Sequence, residues 1–289
     1  MIFDLHSHTH FSDGSLSPAA LVARAKAQGV NVLAITDHDT IAGLEFAQKA
    51  ALDEGITLIS GIEFSGGWGK GGVHIVGLGL DVNSVALSAA IKFQEDSRNS
   101  RAQAIAERLG KAGFSDALLG AQALAGEGSI GRPHFAQYLV AIGAVKNINA
   151  AFKKYLGAGK SADVKYQWPT MSQIIEWVHQ AGGVAVLAHP AKYALTRTKM
   201  CAMISDFAQA GGDALEIVSG YQEQSLTNDL IRIATKHQLH GSCGSDFHYP
   251  DQPWQELGRF SPMPNSIPPV WELLGYNLPL SDAQLQTIQ

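Results

Sequence analysis

Short apolar runs recur towards both ends of the chain, and six of them have a histidine or a carboxylate at one end. These segments are 1–8, 32–39, 56–63, 74–78, 184–189 and 239–248. Short apolar runs bounded by turn-forming residues are typical of buried strands, and the stretches between them have helical spacing. One histidine beside a strand is usually structural. Its repetition at six segments predicts a ring of strands that converge on one site.

The helical stretches have clear start and stop signals. Ser17 and Pro18 favour the start of a helix and Gly29 favours its end, as an N-cap, a first-turn proline and a terminal glycine do. The same reasoning predicts further helices at 41–54, 170–181, 198–210 and 223–236, strands at 183–188, 213–218 and 239–244, and a wrapping tail at 261–289.

A glycine-rich segment, 66–72, separates the strand that ends at Glu63 from a strand at 73–81. Its spacing is not that of a phosphate-binding loop, and we interpret it as a hairpin connection. The strand at 73–81 carries His74 at its start, whereas most of the other polar residues follow their strands. We therefore expect this strand to run against its neighbours, which brings His74 to the same end of the sheet.

The middle of the chain lacks a strand signal. Helices are predicted there at 85–112, 116–125, 133–143 and 147–156. Because strand–helix alternation precedes and follows this block, we predict an α/β fold, a TIM-like barrel with seven candidate strands and an inserted helical subdomain. The barrel comprises 1–83 and 170–289, and the insertion comprises 84–169. In parallel barrels, functional residues collect at the carboxyl ends of the strands, and most of the histidines and carboxylates that follow the apolar runs lie there.

Composition narrows the class of protein. The 289 residues are 46% hydrophobic, and no apolar stretch is long enough to span a membrane, so we expect no membrane partner and see no obligate protein partner. Cys201 and Cys243 form no metal-type pair, which is typical of a cytoplasmic protein. The net charge is −5, yet residues 84–169 hold 11 Lys and Arg against 6 Asp and Glu. This surplus fits either an ordinary helical surface or a basic lid over a phosphate site.

The candidate metal ligands are nine side chains at or near the strand ends: His6, His8, Asp13, His38, Glu63, His74, His189, Asp246 and His248. Their His-x-His and Asp-x-His spacings place two side chains on one face of an extended segment. A catalytic ion takes roughly three or four protein ligands, so nine ligands predict two or three ions that share bridging groups. Glu63 is the natural bridge, because a carboxylate has two oxygens.

Charge favours bound metal at this site. Six neutral histidines and three carboxylates give an empty site a charge of −3, which would repel phosphate, whereas three divalent ions would bring it to +3. A mixed set of nitrogen and oxygen ligands without cysteine favours manganese, with iron and zinc as alternatives.

The assembled motifs resemble the polymerase and histidinol phosphatase (PHP) family. The matching segments are His6-Ser7-His8, Thr36-Asp37-His38, Gly61-Ile62-Glu63, His74, Ala188-His189-Pro190 and Ser245-Asp246-Phe247-His248. The resemblance implies a distorted seven-stranded barrel and a trinuclear metal centre. It also implies three ligand sets, namely His6, His8, Glu63 and Asp246 for one ion, Glu63, His74 and His189 for a second, and Asp13, His38 and His248 for a third.

Two segments of the insertion resemble family members that act on nucleoside 3′,5′-bisphosphates and short RNA. They are Gly131-Arg132-Pro133-His134 and Tyr155 to Lys160, after which the chain lacks the proline and tyrosine usual in those relatives. Arg132 at a helix start would offer its guanidinium to phosphate beside the positive end of the helix dipole. His134 could bind the same phosphate or protonate the leaving oxygen, and Lys160 could add a positive charge.

We therefore expect a phosphoric ester hydrolase in which a metal-bridging hydroxide near Glu63 attacks phosphorus and Arg132 and His134 hold the phosphate. The substrate would be a nucleoside 3′,5′-bisphosphate, a short 5′-phosphorylated RNA, or both. One alternative is a histidinol-phosphate phosphatase, although a basic insertion favours a more anionic substrate. The non-enzymatic alternative is an inactive metal-binding accessory module, against which the complete ligand set argues.

Overall fold

A seven-stranded sheet forms the centre of the molecule, as seen in a computed structural model that describes residues 1–126, 128, 130–164 and 168–276. Its strands are neighbours in chain order, from β1 to β7. Their bounds are β1 Phe3–Asp4, β2 Val32–Ile35, β3 Thr57–Trp68, β4 Gly71–Leu78, β5 Val184–Leu187, β6 Ala214–Ser219 and β7 His240–Gly244.

Helices flank the strands close to the predicted positions. Their bounds are α1 Pro18–Ala27, α2 Ala42–Glu54, α3 Val85–Lys111, α4 Ala117–Ala125, α5 Arg132–Ala141, α6 Ile148–Ala151, α7 Met171–Gln180, α8 Arg197–Gln209 and α9 Gln224–Lys236. The Ser17 hydroxyl accepts a hydrogen bond from the Ala20 amide, so the predicted cap of α1 is present. A π-helical turn at Phe152–Leu156 completes the helix predicted at 147–156.

The sheet curls into a nearly closed barrel, and hydrogen bonds join its first and last strands. The Leu5 amide donates to the Cys243 carbonyl at 3.1 Å, and the His8 amide donates to the Phe247 carbonyl at 2.9 Å. Asp4 reinforces the seam, because its buried carboxylate accepts a hydrogen bond from the Ser245 amide at 2.8 Å. The predicted seven-stranded, barrel-like α/β fold is thereby confirmed.

Strand β4 runs antiparallel to both β3 and β5, as its polar pattern predicted. The predicted connection at 66–72 is too long, because β3 and β4 continue through most of that segment. Gly66 pairs with Val73 inside the hairpin, and a Cβ atom at Gly66 would lie 2.6 Å from the Ile174 side chain. Only Gly69 of the turn has a positive φ, 59°. Close packing against α7 therefore accounts for the glycine at 66.

The helical block after β4 has its own apolar cluster, which includes Ile105, Leu109, Phe135, Leu139 and Leu156. The barrel strands and their helices share a larger, separate cluster. We retain the division into a barrel and an inserted unit at 84–169 as a proposal. The part of the predicted tail at 277–289 lies outside the described residues. Within the described ranges, no helix combines the length and the apolar character that crossing a membrane requires.

Candidate metal centre

The carboxyl ends of the parallel strands, together with the start of β4, surround one buried site. All nine predicted ligands lie there: His6, His8, Asp13, His38, Glu63, His74, His189, Asp246 and His248. Strand β4 delivers its histidine to this end because it runs in the reverse direction. Four overlapping groups of these residues have ligand atoms within 4.8 Å of one another.

Glu63 occupies the middle of the site and is almost fully buried. Its Oε1 lies 3.0 Å from His74 Nδ1 and 2.9 Å from His189 Nε2. Its Oε2 lies 3.4 Å and 3.3 Å from the Nε2 atoms of His6 and His8. The two oxygens thus face different sets of histidines, as a bridging carboxylate requires.

Asp13 forms a second focus with two histidines. The Nε2 of His248 lies 3.2 Å from Asp13 Oδ1, and the Nε2 of His38 lies 3.8 Å from Asp13 Oδ2. The Nδ1 of His38 is 3.0 Å from Glu63, so this ring connects the two foci. His8 joins the second group as well, which the ligand sets implied by the resemblance did not include.

The arrangement fits divalent metal ions. Two atoms about 2.1 Å from a shared ion, at angles of about 90–110°, lie roughly 3.0–3.5 Å apart. Asp246 Oδ1 lies 3.5 Å and 3.4 Å from the Nε2 atoms of His6 and His8, within this range. Among the described residues, the Nε2 atoms of His6 and His8, Glu63 Oε2 and Asp13 Oδ1 are buried without a hydrogen-bond partner. Buried polar atoms are rarely left unsatisfied, so these atoms indicate a site for cations.

The charges of these groups are strongly coupled. Burial raises the pKa of Glu63, but the surrounding histidines, led by His38, outweigh it and hold the pKa well below its usual range. Burial lowers the pKa of His248, but the Asp13 and Asp246 carboxylates outweigh it and raise the pKa to about 9. Without ions, the site therefore holds ionised carboxylates beside a protonated imidazole. Metal ions must displace that proton when they bind.

Glu216 holds two of the ligands in place from behind. It is a buried residue of β6, and its Oε1 lies 3.1 Å from His6 Nδ1. Its Oε2 accepts a hydrogen bond from the His189 amide at 2.5 Å. A carboxylate behind a histidine ligand fixes the ring's tautomer and orientation. Sequence reasoning missed this residue, although a lone glutamate inside the apolar run of β6 is a signal.

Asp37 and Asp39, on either side of His38, have different tasks. Asp37 accepts hydrogen bonds from the Thr9 amide and hydroxyl at 2.7 and 2.6 Å, which fixes the loop that carries Asp13. Asp39 accepts a hydrogen bond from Arg98 Nε at 2.6 Å. Both carboxylates therefore hold the elements around His38 in place.

Three non-glycine residues at the site have left-handed backbone conformations. The φ angles are 56° at Asp39, 30° at His189 and 55° at Asp246. Such conformations cost roughly 1–3 kcal/mol each and persist where the surrounding structure imposes them. Each residue directly follows or lies close behind a strand end, so the sharp turns direct His189 and Asp246 into the site and Asp39 towards Arg98.

Three arginines form a cationic cluster beside the metal centre. Arg98 and Arg101 come from α3, and Arg132 begins α5. Burial, together with the neighbouring positive charges of Arg132 and Arg98, lowers the pKa of Arg101 to about 10. The Arg101 Nε is buried and has no hydrogen-bond partner within the described parts of the chain. A cluster of guanidinium groups that includes an unpaired N–H donor is typical of an anion-binding site.

His134 lies between this cluster and the metal centre and is 4% exposed. Its Nδ1 accepts a hydrogen bond from the Gly131 amide at 3.0 Å, so the neutral ring carries its proton on Nε2. Burial lowers the His134 pKa; Asp13 raises it and Arg98 lowers it. A neutral imidazole whose Nε2 carries the proton can donate a hydrogen bond to a phosphate oxygen.

Lys160 differs from the other predicted phosphate ligands, because it is exposed in a turn that ends the π-helical segment. Its amide donates to the Gly157 carbonyl, and no contact joins its side chain to the described site residues. A role for Lys160 stays a prediction.

Arg98 and Arg101 were missed by sequence reasoning, since charged residues three apart on a long helix are usually solvent-facing. The exposed His10 ring, 3.3 Å from the Leu16 carbonyl, lies outside the ligand groups.

Comparisons with known proteins agree with this site. The PHP domain family model matches residues 4–123. A 5′-3′ exoribonuclease from Haemophilus influenzae is 47% identical over 93% of this chain and 98% of its own length. A 3′,5′-nucleoside bisphosphate phosphatase from Chromobacterium violaceum is 39% identical over 94% of this chain and 95% of its own.

Solved structures give the same picture. An amidohydrolase from Chromobacterium violaceum, with bound sulfate and no metal, superposes with a TM-score of 0.87 at 38% identity and covers 98% of this chain and 99% of its own. A predicted metal-dependent phosphoesterase from Bifidobacterium adolescentis superposes with a TM-score of 0.76 at 29% identity and covers 96% of this chain and 97% of its own. Since the relatives match over almost their full length, the resemblance found in the sequence is confirmed, and the chain belongs to the PHP family.

Proposed function

We propose that this protein is a metal-dependent phosphoesterase that removes phosphate from nucleoside 3′,5′-bisphosphates and degrades short 5′-phosphorylated RNA. The observation that carries the proposal is the pairing of two anion sites, a nine-ligand metal centre and a cluster of three arginines beside it. A substrate with two phosphates can occupy both. The names of the relatives, an exoribonuclease and a bisphosphate phosphatase, support this substrate class.

We assign three divalent ions, preferably manganese, to the nine ligands. His6, His8, Glu63 and Asp246 would hold one ion. Glu63, His74 and His189 would hold another. Asp13, His38 and His248 would hold the third. When bound, such ions would stabilise charge on the phosphoryl oxygens and make water a stronger nucleophile.

The side chains of the protein supply binding and orientation. Arg98 is fixed by Asp39 and by the Ser65 hydroxyl, 2.9 Å from its Nη2, so its guanidinium is already positioned when a phosphate arrives. Arg132 and Arg101 complete the anchor for the non-reacting phosphate. His134 donates from Nε2, either to a phosphate oxygen or to the leaving oxygen. Positioning of this kind accounts for much of the rate gain in phosphoryl transfer.

The decisive experiment compares two substrates that differ in one phosphate. We expect kcat/KM with manganese to be about 100-fold higher for adenosine 3′,5′-bisphosphate than for adenosine 3′-monophosphate, because the anchor makes charge-assisted hydrogen bonds worth about 1.5–3 kcal/mol each. Histidinol phosphate and a chelator-treated sample serve as controls. Faster release from histidinol phosphate, or equal rates for the two nucleotides, would overturn the proposed substrate class.

A further inference from the structure

The loops after β5, β6 and β7 form a continuous rim on one side of the metal centre. Each carries a solvent-accessible side chain suited to nucleic acid: Lys192 after β5, Tyr221 after β6 and Trp254 after β7. Tyr221 is 70% exposed and Trp254 is 55% exposed. Both aromatic side chains are therefore open to contact with a ligand at this rim.

These loops are joined to each other and to the metal centre. The Tyr221 amide donates to the Trp254 carbonyl at 2.7 Å. Gln255, next to Trp254, donates to the carbonyl and to Oδ2 of Asp246 at 2.7 and 3.0 Å. The Lys192 ammonium lies 2.7 Å from the same Oδ2. The rim is therefore held at a fixed position relative to a proposed metal ligand.

The rim lies across the barrel from the arginine cluster. Arg98 is held by Asp39, just after β2, and by Ser65 in β3. In the nearly closed ring of seven strands, β6 is three strands away from β2 in one direction and three strands away from β3 in the other. The metal centre thus separates the arginine anchor from the aromatic rim.

This placement gives an RNA substrate a direction, an argument that rests on the proposed function. If the 5′-phosphate occupies the arginines and the next phosphate lies at the metal centre, the first nucleotide spans the space between them. The remainder of the strand must leave on the far side, over the loops after β5 to β7. A mononucleotide bisphosphate ends at the metal centre and does not reach this rim.

We propose that Lys192, Tyr221 and Trp254 form a platform for the part of an RNA that lies 3′ of the cleaved bond. The two aromatic rings would stack on bases, which every base permits because each has a π face. The ammonium of Lys192 would contact the phosphate that follows the scissile one. The platform would add affinity for RNA without sequence preference, and it would add none for bisphosphates.

The test measures kcat/KM for a 5′-phosphorylated tetranucleotide and for adenosine 3′,5′-bisphosphate. Trp254→Ala should lower the ratio of kcat/KM for the tetranucleotide to kcat/KM for the bisphosphate about tenfold. Trp254→Phe should restore most of this ratio, and Tyr221→Ala should also lower it. The matched control is Phe93→Ala, because Phe93 is an exposed aromatic beside Trp177 on the outer side of α3. A ratio that Trp254→Ala leaves unchanged would overturn the platform.

Binding separates this inference from the proposed function. The affinity of a 5′-phosphorylated, 3′-fluorescein-labelled tetranucleotide whose first bridging 3′-oxygen is replaced by a methylene group can be measured by anisotropy with manganese, because that linkage is not hydrolysed. We expect Trp254→Ala to weaken this binding about tenfold, and equal affinity would refute the platform whatever the activity shows. If the wild-type protein hydrolyses neither nucleotide substrate with manganese, the proposed function fails independently of the binding result.

Discussion

Replacing Glu216 by glutamine tests how the metal centre is held together. Glu216 is 2% exposed and receives two hydrogen bonds, one from the ring of His6 and one from the amide of His189. A glutamine of the same shape offers only one acceptor oxygen, and its NH₂ group would face a donor. We expect a loss of about 1.5–3 kcal/mol, the value of a hydrogen bond to a charged acceptor, together with a mobile His6 ring.

The loss should appear mainly as weaker metal binding. Partners behind metal ligands typically contribute about 10–100-fold to affinity, which agrees with the energy given above. Manganese affinity measured by calorimetry should fall by that factor, and kcat at saturating manganese should fall much less. Glu176→Gln is a suitable control, because Glu176 is exposed on α7 and accepts a hydrogen bond from Gln180, away from the metal centre. Unchanged manganese affinity in Glu216→Gln would refute the idea that this carboxylate orients the ligands.

Three further outcomes are expected. His134→Asn, which keeps an acceptor near the Gly131 amide but removes the Nε2 donor, should lower kcat about 100-fold with little change in melting temperature; His134→Gln, which can reach the phosphate, should recover part of the activity. Arg98→Lys should raise KM for the bisphosphate about tenfold, since one ammonium cannot bond Asp39 and a phosphate as a guanidinium does; an unchanged KM would exclude Arg98 from the anchor. Burial raises the pKa of Asp4 to about 6, from 3.8, although backbone amides of Ser245 and Gly258 oppose this. A raised folded-state pKa means that its stabilising contribution is present below pH 3.8 and is lost as the pH rises through 6. Between pH 4 and 7, the free energy of unfolding of Asp4→Asn should therefore rise by about 3 kcal/mol relative to that of the wild type, as measured by chemical denaturation. A difference that does not change with pH would contradict a buried Asp4 carboxyl group that is protonated in the folded protein at low pH.

The convergence of the nine candidate ligands could be predicted from sequence because two simple rules act on them. Strand ends of one sense meet at one end of a barrel, and spacings such as that of His6 and His8 place both side chains on one face. Even the reversed direction of β4 followed from the position of His74 at its start. The convergence of these residues on one site therefore follows from local pattern alone.

The surrounding residues could not be predicted, because their roles depend on tertiary contacts. Arg98 and Arg101 have the spacing of an ordinary solvated helix face, and only the packing of α3 against the barrel buries them beside Arg132. The glycines at 66–67 suggested a turn, whereas Gly66 is needed for the approach of α7. Glu216 looked like an irregularity in an apolar strand until the rings that it contacts were in place.

The reversed direction of β4 also determines how two of the arginines are positioned. Because β4 returns to the amino-terminal face of the barrel, α3 begins there and extends towards the opposite face. Helix α3 is 27 residues long, about 40 Å, and its early residue Leu87 packs with the barrel, whereas Ile105 and Leu109 pack in the separate apolar cluster of the helical block. Arg98 and Arg101 lie between these two ends of the helix, so their place beside the metal centre depends on how α3 packs against the barrel.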